Sequence, residues 1–174
     1  DDSPILPMFQ IEEDKNRSTK LWIHTNNLSE RVELNSKKSL EIFSNGFESL
    51  PLLNDWQNYL NESIINESEF KLGEKNEAIS LCLHINSDNE VIKWSFHLTL
   101  VKCSLIVGSD HTHALLSRKS KSRITSRLLK PLKEYIEDLE KILEISSTFR
   151  QRHLLEGKVE IPASLNKIES LNKF

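Results

Sequence analysis

The segment EAISLCLHINSDNEVIKWSFHLTL, residues 77–100, carries the clearest structural pattern in the chain. Apolar side chains occupy alternate positions from Ile79 to Ile85 and again from Ile92 to Leu100. Alternation with a period of two is typical of β-strands that bury one face. The polar residues Ser87–Glu90 between the two runs are suited to a turn. We therefore predict that this segment forms an antiparallel hairpin.

A second pattern follows the hairpin. From Ile124 to Leu155 apolar side chains recur at spacings of three and four, which predicts a helix with one apolar stripe, ended by Gly157. Pro131 lies inside this pattern, so it either kinks the helix or marks its first turn. Strands followed by a long helix indicate the α+β class. We predict an antiparallel β-sheet with a hairpin, packed by a long C-terminal amphipathic helix.

The remaining segments carry weaker signals. Residues 1–10 contain two prolines and are predicted to be extended. Lys20–Thr25 is a short run of aromatic and β-branched residues and is predicted to be a buried strand. Ser36–Phe43 is predicted to be a helix that stops at Gly46. We expect Leu50–Lys71 to be irregular or partly helical.

Length and composition exclude several classes of protein. A chain of 174 residues suits one domain, and its 37% hydrophobic and 28% charged residues suit a folded domain with a solvated surface. No apolar run reaches the length of a membrane span, and the acidic start is unlike a signal peptide. A turn centred on Asp88 and Asn89 sets Cys82 opposite Ser95, so we expect no disulfide with Cys103. We expect a reducing, cytoplasmic location.

The charge balance limits the ways in which the chain could bind a polyanion. A net charge of -3 gives no bulk attraction, so nucleic acid must contact a local basic patch or a bound metal. The candidate patch precedes the predicted helix and contains Arg118, Lys119, Lys121 and Arg123. It could contact backbone phosphates, although a solvated charge run is the alternative.

Two further groups could bind a metal ion. The adjacent carboxylates of Asp1 and Asp2 are the oxygen ligands that Mg²⁺ prefers, although two solvated acids are the alternative. His111 and His113 would point the same way on a strand, but two histidines are too few for a closed zinc site. A polar loop is the alternative for this pair.

Five segments, in order along the chain, resemble the catalytic RNB domain of the ribonuclease II/R family. Leu21–Val32 (LWIHTNNLSERV) is similar to the family's Leu-x-Val-His-Ile-Ala-Asp-Val-Ser-x-x-Val, and Leu72–Ser80 (LGEKNEAIS) to its Leu-x-x-Gly-Glu-x-x-x-Ala-Leu-Ser. Asp1–Ser3 looks like the end of its Asp-x-Asp-Asp motif. Leu50-Pro51 resembles its Tyr-Leu-Pro, and Arg152–Pro162 its arginine-rich helix end. The bacterial ribonuclease II branch is the most similar.

The resemblance implies an enzyme that hydrolyses single-stranded RNA from its 3′ end and releases nucleoside 5′-monophosphates. Two Mg²⁺ ions would activate the attacking water and stabilise the leaving oxygen. Asp1 and Asp2 match the last two carboxylates of the family's metal motif, and we expect them to bind metal as catalytic residues. The family's other metal aspartates would precede Asp1, and its phosphate-contacting arginine would lie downstream. We therefore expect residues 1–174 to be about the first half of the domain and inactive alone.

The sequence departs from the family pattern at two functional positions. Asn27 stands where the family has aspartate, and Ser49 where it has a tyrosine that stacks on RNA. Loss of one stacking aromatic would remove about 1 to 3 kcal/mol per base. These departures leave a second hypothesis open, a non-catalytic RNA-binding or scaffold domain of the same fold. An unrelated small α+β binding domain is a third. The sequence does not indicate the oligomeric state.

Overall fold

A computed structural model describes residues 5–13, 18–45, 49–52, 55–119, 123 and 127–159. In this part of the chain, the strands form a four-stranded antiparallel sheet of order β1-β2-β5-β6 and a small hairpin of β3 and β4. None of the helices described is long and apolar enough to cross a membrane. The strands are β1 (Met8–Glu13), β2 (Thr19–Asn26), β3 (Leu50–Leu52), β4 (Asp55–Gln57), β5 (Lys75–Ile85) and β6 (Val91–Lys102). The helices are α1 (Lys37–Asn45), α2 (Glu62–Ser68), α3 (Ser109–Leu116) and α4 (Ile136–Leu155).

The predicted hairpin is confirmed as β5 and β6. Cys82 stands opposite Ser95, as predicted, and both cysteines are free. The turn places Asn89 in the left-handed region at φ 56°, a conformation that asparagine tolerates better than most residues. The α+β class is likewise confirmed, with the sheet and a long helix packed together.

The helix α4 packs on one face of the sheet. Its residues Ile142, Ile145 and Phe149 contact Leu21 of β2 and Ile85 of β5 in one apolar cluster. A second cluster joins the N-terminal end of α4 to α3 and to the residues before α4; its buried members are Leu115, Leu129, Leu132 and Ile136. The two clusters hold both ends of α4 in place.

The start of α4 differs from the prediction. The helix begins at Ile136 and not at Ile124; turns occupy residues 127–132, and a short 3-10 helix spans Lys133–Tyr135. Pro131 lacks an amide hydrogen and its ring clashes with the preceding helical turn, which explains why the regular helix begins only after it. The predicted end is confirmed, because α4 ends at Leu155 and Gly157 follows at φ 80°.

Other segments are more regular than predicted. The extended start contains the edge strand β1, and Leu50–Lys71 contains β3, β4 and α2. The helix α2 is capped by Asn61, whose side-chain oxygen accepts a hydrogen bond from the Ile64 amide at 3.1 Å. The predicted helix before Gly46 is α1, and Gly46 itself lies outside the described residues.

Arg152 of α4 holds the hairpin turn against the helix. Its guanidinium donates to the backbone carbonyls of Asp88 at 2.6 Å and Asn89 at 3.0 Å, and lies 3.6 Å from the Glu90 carboxylate. The Asn89 side chain in turn donates to Glu144 at 3.1 Å. These bonds fix the far end of the hairpin to the C-terminal half of α4.

Replacing Arg152 should therefore weaken the whole fold. We expect Arg152→Ala to lower the free energy of unfolding by about 1 to 2 kcal/mol, because two charge-assisted hydrogen bonds are lost at a partly exposed site. Arg152→Lys should lose less. The exposed neighbour Gln151→Ala is the matched control. Urea unfolding curves would contradict this role if both alanine variants showed the same midpoint.

His24 is buried on the polar face of the sheet. Its Nδ1 lies 2.7 Å from the Ser80 hydroxyl, which lies 2.5 Å from the Thr99 hydroxyl on β6. Burial of the imidazole lowers the pKa of His24 below its ordinary value of 6.5, and the nearby Glu12 opposes this in part. The folded protein therefore favours a neutral His24.

This lowered pKa predicts that stability falls in acid. Above the pKa of the unfolded state, His24 is neutral in both the folded and the unfolded protein, and its contribution to stability is complete. As the pH falls through 6.5, the unfolded chain takes up a proton before the folded protein does, so the free energy of unfolding falls. We expect the urea midpoint to fall between pH 7.5 and pH 5.5, with a slope from this group of at most about 1.4 kcal/mol per pH unit. His24→Gln should flatten the slope, and the exposed control His153→Gln should leave it unchanged.

Candidate functional site

A polar cleft of about 390 Å³ lies at the end of the sheet where β2 ends and β5 begins. It is formed by the turn after β2, the loop after α2 and the first residues of β5, with Leu100 of β6 at its side. The residues that line it are Asn26, Asn27, Arg31, Glu67, Ser68, Glu69, Phe70, Lys71, Glu74, Lys75, Asn76, Glu77 and Leu100.

The turn after β2 supplies one wall. Asn27 precedes a short 3-10 helix, Leu28–Glu30, and its side-chain oxygen accepts a 2.6 Å hydrogen bond from Ser29. Its amide nitrogen lies 3.5 Å from the Glu30 carboxylate. Asn27 is therefore held by its own turn, and it places a neutral amide at the cleft.

The loop before β5 supplies the opposite wall. Gly73 adopts φ 79°, which favours glycine, and its amide donates to the Cys103 carbonyl at 2.8 Å. The Asn76 side chain accepts from the Lys71 amide at 2.9 Å and donates to the carbonyls of Lys71 and Glu74. These hydrogen bonds hold the loop against β5 and the end of β6, and they give the cleft a fixed shape.

Cations and carboxylates are mixed at this end of the sheet. Arg31, Lys71 and Lys75 line the cleft, and Lys75 stands directly opposite Lys102 on β6. Among the residues that the structure describes, none of these four cations forms an ion pair. The lining also carries the carboxylates of Glu67, Glu69, Glu74 and Glu77, so the cleft as a whole is not cationic, and a phosphate would have to contact the individual side chains of Arg31, Lys71 or Lys75.

The described carboxylates do not themselves form a metal site. Four glutamates line the cleft, yet no group of three or more His, Cys, Asp or Glu side chains comes together within the described residues. Asp1 and Asp2, predicted as catalytic and metal ligands, lie outside them. Met8 pairs with His24, so the chain enters β1 at the same end of the sheet as Asn26 and Asn27.

The predicted basic patch is divided. Arg118 pairs with Glu140 of α4 and is mostly buried, whereas Lys119 and Arg123 are exposed, and Lys121 lies outside the described residues. Arg118, Lys119 and Arg123 are not among the residues that line the cleft. The basic patch stays a prediction. Arg118, which follows α3, also links this region to α4 through its ion pair with Glu140.

The histidine pair is not arranged as expected. His111 and His113 lie on the helix α3, and neither a strand nor a polar loop is formed there. Side chains two residues apart on a helix project in divergent directions, so the rings of His111 and His113 do not converge on one ion. Ser49, the other departure from the family pattern, is half-buried and lines a small hollow that Tyr59 also lines.

Sequence reasoning missed the three cleft cations because Arg31 lies 40 or more positions before Lys71 and Lys75 along the chain. Arg31 falls within the segment Leu21–Val32, and Lys75 within Leu72–Ser80. A signal was available in the pairing of β2 with β5, which brings these two segments together. His24 of the first segment forms a hydrogen bond with Ser80 of the second.

Comparison with known proteins places this fold in one family. The RNB domain family model matches residues 2–173. A sequence comparison with curated proteins gave no match. Among solved structures, Mycoplasma genitalium RNase R in complex with ribose-methylated single-stranded RNA matches with a TM-score of 0.70 and 13% identity, covering 91% of this chain and 24% of that one.

Two fungal structures are similar to the same degree. Dss1 exoribonuclease from Candida glabrata, an active-site mutant, has a TM-score of 0.68 and 15% identity over 88% of this chain and 20% of its own. Yeast Ssd1, a pseudonuclease, has a TM-score of 0.65 and 15% identity over 86% of this chain and 17% of its own. The chain thus spans between 17% and 24% of the three structures named. Its family match extends over nearly every residue, and the chain belongs to the RNB domain family.

Proposed function

We propose that this chain is the RNA-binding, metal-carrying first half of an RNB-type 3′-to-5′ exoribonuclease of the ribonuclease II kind, acting on single-stranded RNA. The supporting observation is the cleft at the junction of β2 and β5, where the two most family-like segments meet around Arg31, Lys71 and Lys75, cations that form no ion pair with any described residue. Phosphate groups of a single strand would lie along these cations. RNase R, a structural neighbour, was solved in complex with single-stranded RNA.

In this proposal Asp1 and Asp2 are the ligands that the chain contributes to Mg²⁺. Carboxylate oxygens suit this ion, and β1 enters the sheet at the cleft end. A metal bound there would supply activation of the attacking water. We also propose a cytoplasmic location, for which the two free and buried cysteines are the support.

A second candidate is a non-catalytic RNA-binding or scaffold domain. The support for it is Asn27, which places a neutral amide in the cleft at the position of the family's aspartate, together with the similarity to the pseudonuclease Ssd1. The two candidates share RNA binding and differ only in cleavage.

The cleft cations give a direct test of RNA binding. We expect Arg31→Ala, Lys71→Ala and Lys75→Ala each to weaken binding of a 5′-fluorescein single-stranded RNA several-fold in fluorescence anisotropy. Each lost phosphate contact should reduce the slope of log affinity against log salt by about 0.7. Lys93→Ala, exposed at the opposite end of β6, is the matched control. If Lys119→Ala with Arg123→Ala reduced binding and the cleft variants did not, the basic patch would be the RNA site.

Cleavage is tested separately by incubating the intact gene product with 5′-labelled single-stranded RNA and Mg²⁺. Stepwise shortening from the 3′ end, lost in Asp1→Asn and Asp2→Asn while RNA binding remains, would support the exoribonuclease. The control Asp138→Asn, on α4, should leave shortening unchanged. Binding without shortening by the intact gene product favours the non-catalytic candidate, and an absence of binding contradicts both.

A further inference from the structure

The lining of the cleft separates charge from burial. Its charged side chains are all exposed, whereas its buried and half-buried side chains are all uncharged. The uncharged set, which we call the floor, is Asn26, Asn27, Ser68, Phe70 and Asn76; the charged set, which we call the rim, is Arg31, Glu67, Glu69, Lys71, Glu74, Lys75 and Glu77. Three cations and four carboxylates leave the rim without a net positive charge. The part of a ligand that reaches the floor is therefore neutral and polar, because burial of an unpaired charge is costly.

Asn26 differs from the other two asparagines of the floor. The side chain of Asn76 is bonded to the loop before β5, and that of Asn27 to its own turn. Within the described part of the chain, the side chain of Asn26 makes no hydrogen bond. Ala78, directly opposite on β5, has a small side chain that leaves space beside it. Asn26 therefore presents a carbonyl oxygen and an amide N–H group, an acceptor next to a donor, to a group that enters the cleft.

We propose that the floor of the cleft binds one nucleobase of single-stranded RNA, whose edge pairs with the Asn26 amide and whose ring lies against Phe70. This inference rests on the proposed RNA binding, and it adds that the cleft contacts a base as well as phosphates. The phosphates on either side of that base then lie at the rim, beside individual cations such as Arg31 and Lys75.

Size and chemistry both favour a base over a phosphate or a sugar on the floor. The volume of about 390 Å³ is near the lower end of the range for small-ligand pockets, about 300 to 1,000 Å³, and suits one nucleoside. A base is flat and uncharged and stacks on an aromatic ring whatever its identity, which matches Phe70. Its edge carries donors and acceptors side by side, and an asparagine amide pairs with such an edge through two hydrogen bonds. A phosphate would bring a charge to the neutral floor, and a ribose has no flat face for Phe70.

Oligouridine and its N3-methylated form separate base contacts from backbone contacts. The methyl group replaces the N3–H donor of uracil and blocks the edge that pairs with an amide, and it leaves the phosphates and the sugar unchanged. The probes are 5′-fluorescein strands of about 12 nucleotides, and fluorescence anisotropy without divalent metal measures their binding to the 174-residue chain. We expect oligouridine to bind at least about fivefold more tightly than the methylated strand, because a bidentate pair with a base edge is lost.

Asn26→Ala tests whether this residue makes the base contact. The family pattern has alanine at this position, and Asn26 makes no hydrogen bond with a described residue, so the variant should fold, which its urea midpoint checks. It should bind the two strands equally, with an unchanged salt slope because no phosphate contact is lost. Asn66→Ala, exposed on α2 and outside the lining, is the matched control and should keep the preference. Phe70→Leu should weaken binding of both strands by a similar factor, because both stack on the ring.

The outcomes separate this inference from the proposed function. Equal binding of the two strands by the unsubstituted chain would overturn the base subsite and leave the proposed RNA binding intact. A preference that Asn26→Ala retains would overturn it as well, because the base would then be recognised elsewhere. Binding of neither strand would contradict the proposed function, and this inference with it.

Discussion

The antiparallel pairing of β2 with β5 is the interaction on which the rest of the structure depends. Its register sets Asn26 opposite Ala78 and His24 opposite Ser80, and the cleft residues follow directly from these pairs. A shift by one residue would turn the side chains of one strand to the opposite face, so that His24 and Ser80 would no longer lie on the same side of the sheet. The buried His24–Ser80 hydrogen bond therefore fixes the register as well as the site, because any other register leaves a polar group without its partner.

Local periodicity predicted the hairpin, the strand β2 and the end of α4, since each of these depends on neighbours in sequence. The predicted start of α4 was wrong because Leu128, Leu132 and Ile136 keep helical spacing through the turns that Pro131 imposes. The family resemblance pointed to the two segments that meet at the cleft, but the cleft cations could not be predicted from spacing. Arg31 and Lys75 are 44 positions apart, and only the β2–β5 register brings their segments together. The predicted ligands Asp1 and Asp2 remain outside the described residues.

The exposed apolar side chains of β6, from Ile92 to Leu100, show a limit of predictions from periodicity. Alternation in β6 is as regular as in β5, and both strands were expected to bury one face. In the structure Leu83 and Ile85 of β5 pack in the cluster with α4, whereas Trp94 and Phe96 of β6 are exposed and contact each other edge to face at 5.7 Å. A pattern in one strand indicates which face is apolar; the width of the covering element decides how much of that face is shielded from water.

Two facing lysines, Lys75 in the cleft lining and Lys102 opposite it on β6, link folding to the ionic environment. Lys75 and Lys102 are cross-strand neighbours of like charge, an arrangement that weakens a hairpin unless an anion lies between or beside them. A bound polyanion would remove that penalty, so occupancy of the cleft and closure of the β5–β6 ladder at this end become coupled equilibria. Because the hydrogen bond from the Gly73 amide to the Cys103 carbonyl already closes this end of the ladder, the anion would add stability to a strand end that is formed in its absence.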